Sequence, residues 1–253
     1  MSNKKIAFFD SGIGGLTVLY QAFEKLPNEN YVYFADTDNV PYGTKSKKEI
    51  KSHVFKAVEF LTQFPLKALV LACNTATSVV IKDLRKKYDF PIIGMEPAIK
   101  PALEKYPNSR VLLCATKRTI KEKKLKNLIE RLDSKQSIET LVLQKLVTFS
   151  ENKDFDSPKL MNYLSNKFST IDWTNVKTLV LGCTHFVYYK HIFKSFIPPQ
   201  VDILDGNLGT IKRLKSIIES EKVENKKSVE YYQSRKKLDP EYYKYYLDYL
   251  ASS

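Results

Sequence analysis

The sequence has no long hydrophobic run. Of its 253 residues, the longest uninterrupted apolar stretch near the middle covers six, residues 68–73, against the roughly 20 needed to cross a bilayer. A transmembrane helix is therefore excluded. Residues 6–9 form an apolar stretch of only four before Asp10, too short for the core of a signal peptide, so a cytoplasmic location is expected. Cysteine is scarce as well. Cys73, Cys114 and Cys183 are three in number and far apart, which argues against a disulfide framework and fits a reducing compartment with free thiols. The histidines are also three, His53, His185 and His191, with no Cys-x-x-Cys or His-x-x-x-His pairing. No metal site is expected. A glycine-rich nucleotide loop is missing too: after Gly12 and Gly14, Thr17 stands where Gly-x-Gly-x-x-Gly needs its last glycine, and no Gly-Lys-Ser/Thr follows. Gly12, Gly14 and Gly15 are read instead as allowing a tight backbone turn beneath a small ligand.

Hydrophobic residues at 43% and charged residues at 27% match a folded globular chain rather than a disordered or fibrous one. Acidic residues are in the minority, 28 against 41 basic, for a net charge of +13. Nucleic acid, an anionic membrane and small anionic substrates are the partner classes such a balance raises. The excess sits in the middle of the chain, and its densest patch is Lys117, Arg118, Lys121, Lys123, Lys124 and Lys126, interrupted by Glu122. With no nucleic-acid-binding motif beside it, the patch reads as a solvated helix face, and neither nucleic acid nor membrane is expected as a partner.

Short apolar runs alternate with amphipathic stretches, the pattern of a parallel α/β sheet. Strands are expected at residues 5–9, 31–35, 68–72, 91–94, 110–115, 137–143, 178–182 and 201–204, and helices at 16–25, 47–62, 76–87 and 121–132. The last 32 residues hold seven of the 16 tyrosines. They read as a strand over 229–233 and a helix after Pro240 that turns Tyr242, Tyr245, Tyr246 and Tyr249 to the core.

One internal repeat carries more information than the rest. Lys67-Ala-Leu-Val-Leu-Ala-Cys73-Asn-Thr75 matches Lys177-Thr-Leu-Val-Leu-Gly-Cys183-Thr-His185 at five of the first seven positions, 110 residues apart. A weaker echo pairs Ile6-Ala-Phe-Phe-Asp10-Ser11 with Val111-Leu-Leu-Cys-Ala-Thr116. Open α/β sheets bind ligands beyond the carboxyl ends of their strands, so Cys73 and Cys183 are expected to face a ligand. Two similar half-domains facing each other would put one thiol on each side of a cleft. That arrangement suits inversion of a stereocentre next to a carboxylate, one group removing the proton from one face and the other returning it from the opposite face. A free cysteine is more often a small buried apolar residue; that reading is kept for Cys114. A thiol with a pKa of about 8.5 is mostly neutral at pH 7, so both thiols need assistance, for which Asp10 and His185 are the candidates.

With these residues in view, the chain resembles the aspartate/glutamate racemase family over nearly its full length. The motifs are Phe9-Asp-Ser-Gly-Ile-Gly-Gly-Leu-Thr-Val-Leu19, Pro41-Tyr-Gly43, Ala72-Cys-Asn-Thr-Ala76 and Gly182-Cys-Thr-His185, in the family's order and spacing. The resemblance implies two similar doubly wound α/β domains related by a pseudo-twofold, with the active site in the cleft between them. It divides the chain into residues 1–96 plus 207–253 and residues 97–206. It also implies cofactor-independent, two-base racemisation of glutamate that supplies D-glutamate for peptidoglycan, and a homodimer. Carried over, Cys73 acts on D-glutamate with help from Asp10, and Cys183 acts on L-glutamate with help from His185. Glu151 matches a further assisting glutamate. Asp10, Ser11, Pro41, Tyr42, Gly43, Asn74, Thr75, Thr116, Thr119, Thr184 and His185 hold the substrate. The sequence departs from the family's usual pattern at Glu122, Leu125, Phe186-Val187-Tyr188 and Asp205-Gly206. Two alternatives stand beside glutamate: a racemase for aspartate or another acidic amino acid, and a degenerate member acting as a binding protein.

Overall fold

Apolar runs that are buried on both faces have to sit inside a sheet covered by helices on each side, and this chain builds two such sheets. The computed structural model describes residues 4–133, 137–218 and 228–252. Its strands are β1 (Lys5–Asp10), β2 (Asn30–Ala35), β3 (Leu66–Leu71), β4 (Ile92–Gly94), β5 (Arg110–Ala115), β6 (Ile138–Val142), β7 (Val176–Gly182), β8 (Asp202–Asp205), β9 (Val229–Gln233) and β10 (Lys236–Leu238). The helices are α1 (Leu16–Lys25), α2 (Lys47–Leu61), α3 (Asn74–Lys87), α4 (Ile99–Lys105), α5 (Lys117–Lys121), α6 (Lys123–Leu132), α7 (Lys145–Glu151), α8 (Pro158–Phe168), α9 (Lys190–Phe193), α10 (Asn207–Lys215) and α11 (Lys244–Ser252).

The first sheet runs β10-β9-β2-β1-β3-β4 and the second β6-β5-β7-β8. All neighbours are parallel except the β9–β10 hairpin. The four-strand cores, β2-β1-β3-β4 and β6-β5-β7-β8, have the same order. Each also carries an irregularity one residue into its central strand, between Lys5 and Ile6 in one and between Arg110 and Val111 in the other. Ile6 pairs with Ala68, and Val111 with Thr178. The sequence repeat is therefore the third strand of each half, and Cys73 and Cys183 both follow its carboxyl end.

Alternate residues of β1 serve two cores, as strand geometry requires. Ile6 and Phe8 join a large cluster with Leu112, Leu146, Phe186, Tyr188 and Tyr246, which spans both halves. Ala7 and Phe9 face a second cluster with Val54, Val58 and Val80 from α2 and α3. The C-terminal segment returns to the first sheet: β9 lies parallel to β2, and α10 packs on α1.

Three expectations need correcting. The helix expected over 121–132 is broken at Glu122, whose backbone is extended (φ −75°, ψ 134°) between α5 and α6. Its carboxylate is buried and paired with Lys47 (2.9 Å) and Arg118 (3.2 Å). Within the basic patch Lys117, Lys121, Lys123 and Lys126 are exposed as expected, but Arg118 and Lys124 are drawn into ion pairs with Glu122 and Glu96. The tyrosine stripe is out of phase as well. Residues Pro240–Tyr243 form a 3₁₀ turn before α11 begins, and three residues per turn shift the face. Tyr243 and Tyr246 are buried, whereas Tyr242 and Tyr245 are 50% and 47% exposed. The hairpin strand β10 was not foreseen, since Lys236-Lys237-Leu238 has no apolar pattern.

This phase has a measurable consequence. Tyr246→Ala should destabilise the protein by roughly 3 kcal/mol or more through loss of a large buried side chain, and Tyr242→Ala by no more than about 0.5 kcal/mol. Urea denaturation of the two variants checks it, and equal losses would contradict the assigned face.

Candidate active site

Three strand ends deliver the polar residues of the site. β1 ends at Asp10, whose side chain is fully buried. Its Oδ1 accepts the Gly12 N–H at 3.0 Å and its Oδ2 accepts the Thr184 hydroxyl at 3.1 Å, from the opposite half. The Ser11 hydroxyl lies 3.4 Å from Asp10 Oδ1. β3 leads to Cys73, the N-cap of α3, whose sulfur accepts the Ala76 N–H at 3.4 Å. The Cys73 thiol donates to the Ser11 hydroxyl at 3.7 Å, so Ser11 stands between Asp10 and Cys73. β7 leads to Cys183 and a 3₁₀ stretch, Thr184–Tyr189, that turns His185 back toward the thiol. His185 Nδ1 is 3.8 Å from Cys183 Sγ.

The other imidazole nitrogen, Nε2, donates to Glu151 Oε1 at 2.6 Å. The same oxygen accepts the Ile13 N–H at 2.8 Å, so one carboxylate from the end of α7 joins the loop after β1 to the imidazole after β7. Neighbouring glycines admit this approach. A Cβ at Gly12 would sit 1.8 Å from Glu151 Oε1, and one at Gly14 would sit 2.4 Å from Thr184 Oγ1 and 2.5 Å from His185 Nδ1. None of the described glycines has a positive φ. The chain does turn tightly here, through a 3₁₀ stretch over Ile13–Gly15 as expected for Gly12, Gly14 and Gly15, but what demands glycine at Gly12 and Gly14 is close contact between the two halves rather than backbone conformation.

Hydroxyl groups form the rest of the lining. Thr75 from the first half meets Thr116 (2.9 Å) and Thr119 (3.0 Å) from the second, and these two are 2.9 Å apart, closing a triangle. Asn74 is buried beside Cys73, and its Nδ2 has no hydrogen-bond partner among the described residues. Pro41 is half-buried and follows a cis peptide bond, with Tyr42 and Gly43 buried behind it. The Tyr42 hydroxyl donates to Asp36 Oδ2, so its proton is not available to a ligand. Cys114 lies fully buried inside β5, away from this cluster, as its apolar reading anticipated. Sequence reasoning missed Asp36, the Ile13 N–H and Gln144, which packs on Gly43. None of the three carries a sequence pattern that sets it apart.

Burial dominates the electrostatics. It raises the Asp10 carboxyl from 3.8 to about 6, with the hydrogen bonds and His185 opposing the rise. It also pushes the Cys73 thiol well up, and the neighbouring Asp10 charge adds to this. Burial and the Asp10 charge thus both favour the neutral form of the Cys73 thiol, which is why it needs the assistance expected of Asp10. For His185, burial works to lower the pKa, but the Cys183 and Glu151 contacts together outweigh it and hold the imidazole well above its ordinary value. A paired imidazolium–carboxylate on one side faces a neutral thiol on the other. Cys183 is near enough to contribute to the Cys73 shift. Both thiols are buried, at 6% and 7% exposure. A cleft of about 880 Å³ opens elsewhere, between β4 with the start of α4 and α10, and neither thiol lines it.

Residues 18–214 match the family described as Asp/Glu/Hydantoin racemase. The chain is 50% identical over 214 residues to the glutamate racemase of Halothermothrix orenii, covering 85% of each. It is likewise 50% identical over 216 residues to glutamate racemase 2 of Bacillus subtilis, covering 85% of this chain and 82% of that protein. Among solved structures, Escherichia coli glutamate racemase in complex with L-glutamate and the activator UDP-MurNAc-Ala superposes with a TM-score of 0.78 at 32% identity, covering 88% of this chain and 86% of that one. The RacE1 isoform from Bacillus anthracis gives 0.81 at 29%, covering 92% and 88%.

Two measurements test the charges of the site. Because the folded state holds the Asp10 proton more tightly than the unfolded chain, this group's stabilisation is complete below about pH 4 and is lost as the pH rises through about 6. The stability of the wild type relative to Asp10→Asn should therefore fall by about 2 kcal/mol between pH 4 and pH 7 in urea melts; a pH-independent difference would mean that the carboxyl is not desolvated. Second, Gly12→Ala and Glu151→Gln should each lower the pH at which His185 titrates, followed by NMR of the imidazole. Gly209→Ala, whose added Cβ meets nothing within 4 Å, should leave it in place.

Proposed function

The chain belongs to the Asp/Glu/hydantoin racemase family, and on that footing we propose that it interconverts L- and D-glutamate with Cys73 and Cys183 as the two acid–base groups. The carrying observation is that two buried thiols share one interlobe site and each has its own proton partner, Asp10 through Ser11 for Cys73 and His185 for Cys183. Racemisation needs this pairing. One sulfur, as thiolate, takes the α-proton, the bonding electrons pass into the α-carboxylate, and the opposite thiol supplies a proton to the other face.

The two sides reach the working charge state by different routes. On one side the proton moves between Cys183 Sγ and His185 Nδ1, with Glu151 holding the imidazole in place. On the other, the Ser11 hydroxyl lies between the Cys73 thiol and the Asp10 carboxyl, whose pKa of about 6 lets it hold or release a proton near neutrality. Asn74 Nδ2 and the hydroxyls of Thr75, Thr116 and Thr119 supply the donors that stabilise charge developing on the α-carboxylate, while the Thr184 hydroxyl is held by Asp10. In this reading Cys183 works on L-glutamate and Cys73 on D-glutamate, no cofactor takes part, and the D-glutamate produced is the form used in peptidoglycan.

Proton NMR in deuterated water tests this. Incubated with L-glutamate and no added cofactor, the protein should erase the α-proton signal while D-glutamate appears in chiral analysis. Cys73→Ala or Cys183→Ala should each reduce turnover in both directions by roughly a hundredfold to ten-thousandfold, whereas Cys114→Ala should stay within about threefold of wild type. Exchange of aspartate in preference to glutamate would redirect the substrate assignment, and no exchange with either would remove the racemase reading.

A further inference from the structure

Among the described residues, five buried side-chain polar atoms have no hydrogen-bond partner: Asn74 Nδ2, Tyr88 Oη, Gln144 Nε2, Thr178 Oγ1 and Tyr243 Oη. Tyr88 stacks on Phe90 after α3, Thr178 lies within β7, and Tyr243 packs among Tyr33, Tyr231 and Tyr246. The other two are amide nitrogens, and both lie where the halves of the protein meet. Asn74 follows Cys73. Gln144 immediately precedes α7 and belongs to the second half, but its amide lies against Gly43 of the first, so close that a Cβ there would be 2.1 Å from its Oε1 and 2.7 Å from its Nε2.

The orientation of this amide is set by its neighbour. The Lys117 N–H donates to Gln144 Oε1 at 3.3 Å, which turns the oxygen toward α5 and the nitrogen away from it. A buried donor facing no acceptor is costly relative to one in water and calls for a partner. Asn74 has the same orphaned donor at a position already assigned to substrate. An amino acid reacting between the two thiols keeps its α-carboxylate near Asn74 and the threonine triangle. A dicarboxylate substrate has a second carboxylate, which must lie elsewhere, and among the buried side-chain donors of the described residues the other one left unpaired between the halves is on Gln144.

We propose that Gln144 Nε2 donates a hydrogen bond to the side-chain carboxylate of the substrate and thereby favours an acidic amino acid of glutamate's length over a shorter one. This rests on the racemase reading above and extends it to a residue outside the motifs that suggested it.

Steady-state racemisation of L- and D-glutamate and of L-aspartate by wild type, Gln144→Leu and Gln144→Glu tests the assignment, with thermal melts to verify folding. Gln144→Leu should raise KM for both glutamate enantiomers roughly ten- to hundredfold, the range for a lost hydrogen bond to a charged group, with kcat within about threefold. Its preference for glutamate over aspartate should narrow. Gln144→Glu keeps the shape but sets a negative charge against the carboxylate, so its KM should rise further. An unchanged KM in Gln144→Leu, or a loss confined to kcat, would overturn the proposal while leaving racemisation standing. A wild type with no racemase activity would overturn both.

Discussion

The site depends on one carboxylate that serves two masters. Glu151 Oε1 accepts the Ile13 N–H from one half of the molecule and the His185 imidazole from the other. Removing a buried charge's partners is far more costly than forming the pair is favourable, so the three groups constrain one another's positions. The loop after β1 cannot move without disturbing the imidazole, whose Nε2–H bond to the carboxylate is kept whichever way the proton on the Nδ1 side lies. Gly12 and Gly14 are small for this reason, since any side chain would occupy the space of Glu151 or His185.

The two sides of the site use different physics although they descend from the same strand order. After β7, His185 turns back on Cys183 through a 3₁₀ stretch. After β3, the chain enters an α-helix at once, with Cys73 as its cap and Asn74 and Thr75 in the first turn. Cys73 therefore receives helix amide contact and burial, whereas Cys183 receives an imidazole. The repeat positions two sulfurs alike, and the residues following each decide how its proton is managed.

Much of this was legible in the sequence because it rests on local pattern. The strands ending at Asp10, Cys73 and Cys183 are apolar runs with abrupt polar ends, and β5 and β9 occupy the expected residues. The five-in-seven match around the two cysteines marks the equivalent strands β3 and β7. What stayed hidden depends on contacts between distant parts. The extended backbone at Glu122 reflects ion pairs with Lys47 and Arg118, which no local propensity encodes. The phase of the C-terminal tyrosines turned on a single 3₁₀ turn, below what periodicity resolves. Gln144 carries no pattern and is visible only because its amide meets Gly43 across the interface.

The position of β9 also bears on how the chain is made. It is the parallel neighbour of β2, yet some 200 residues of chain separate the two. During synthesis the second half, whose strands β5 to β8 are contiguous in sequence, can complete its sheet early. The first half emerges earlier but keeps β2 as an open edge, a site for mispairing, until residues 229–233 leave the ribosome. The half translated first is thus the half finished last.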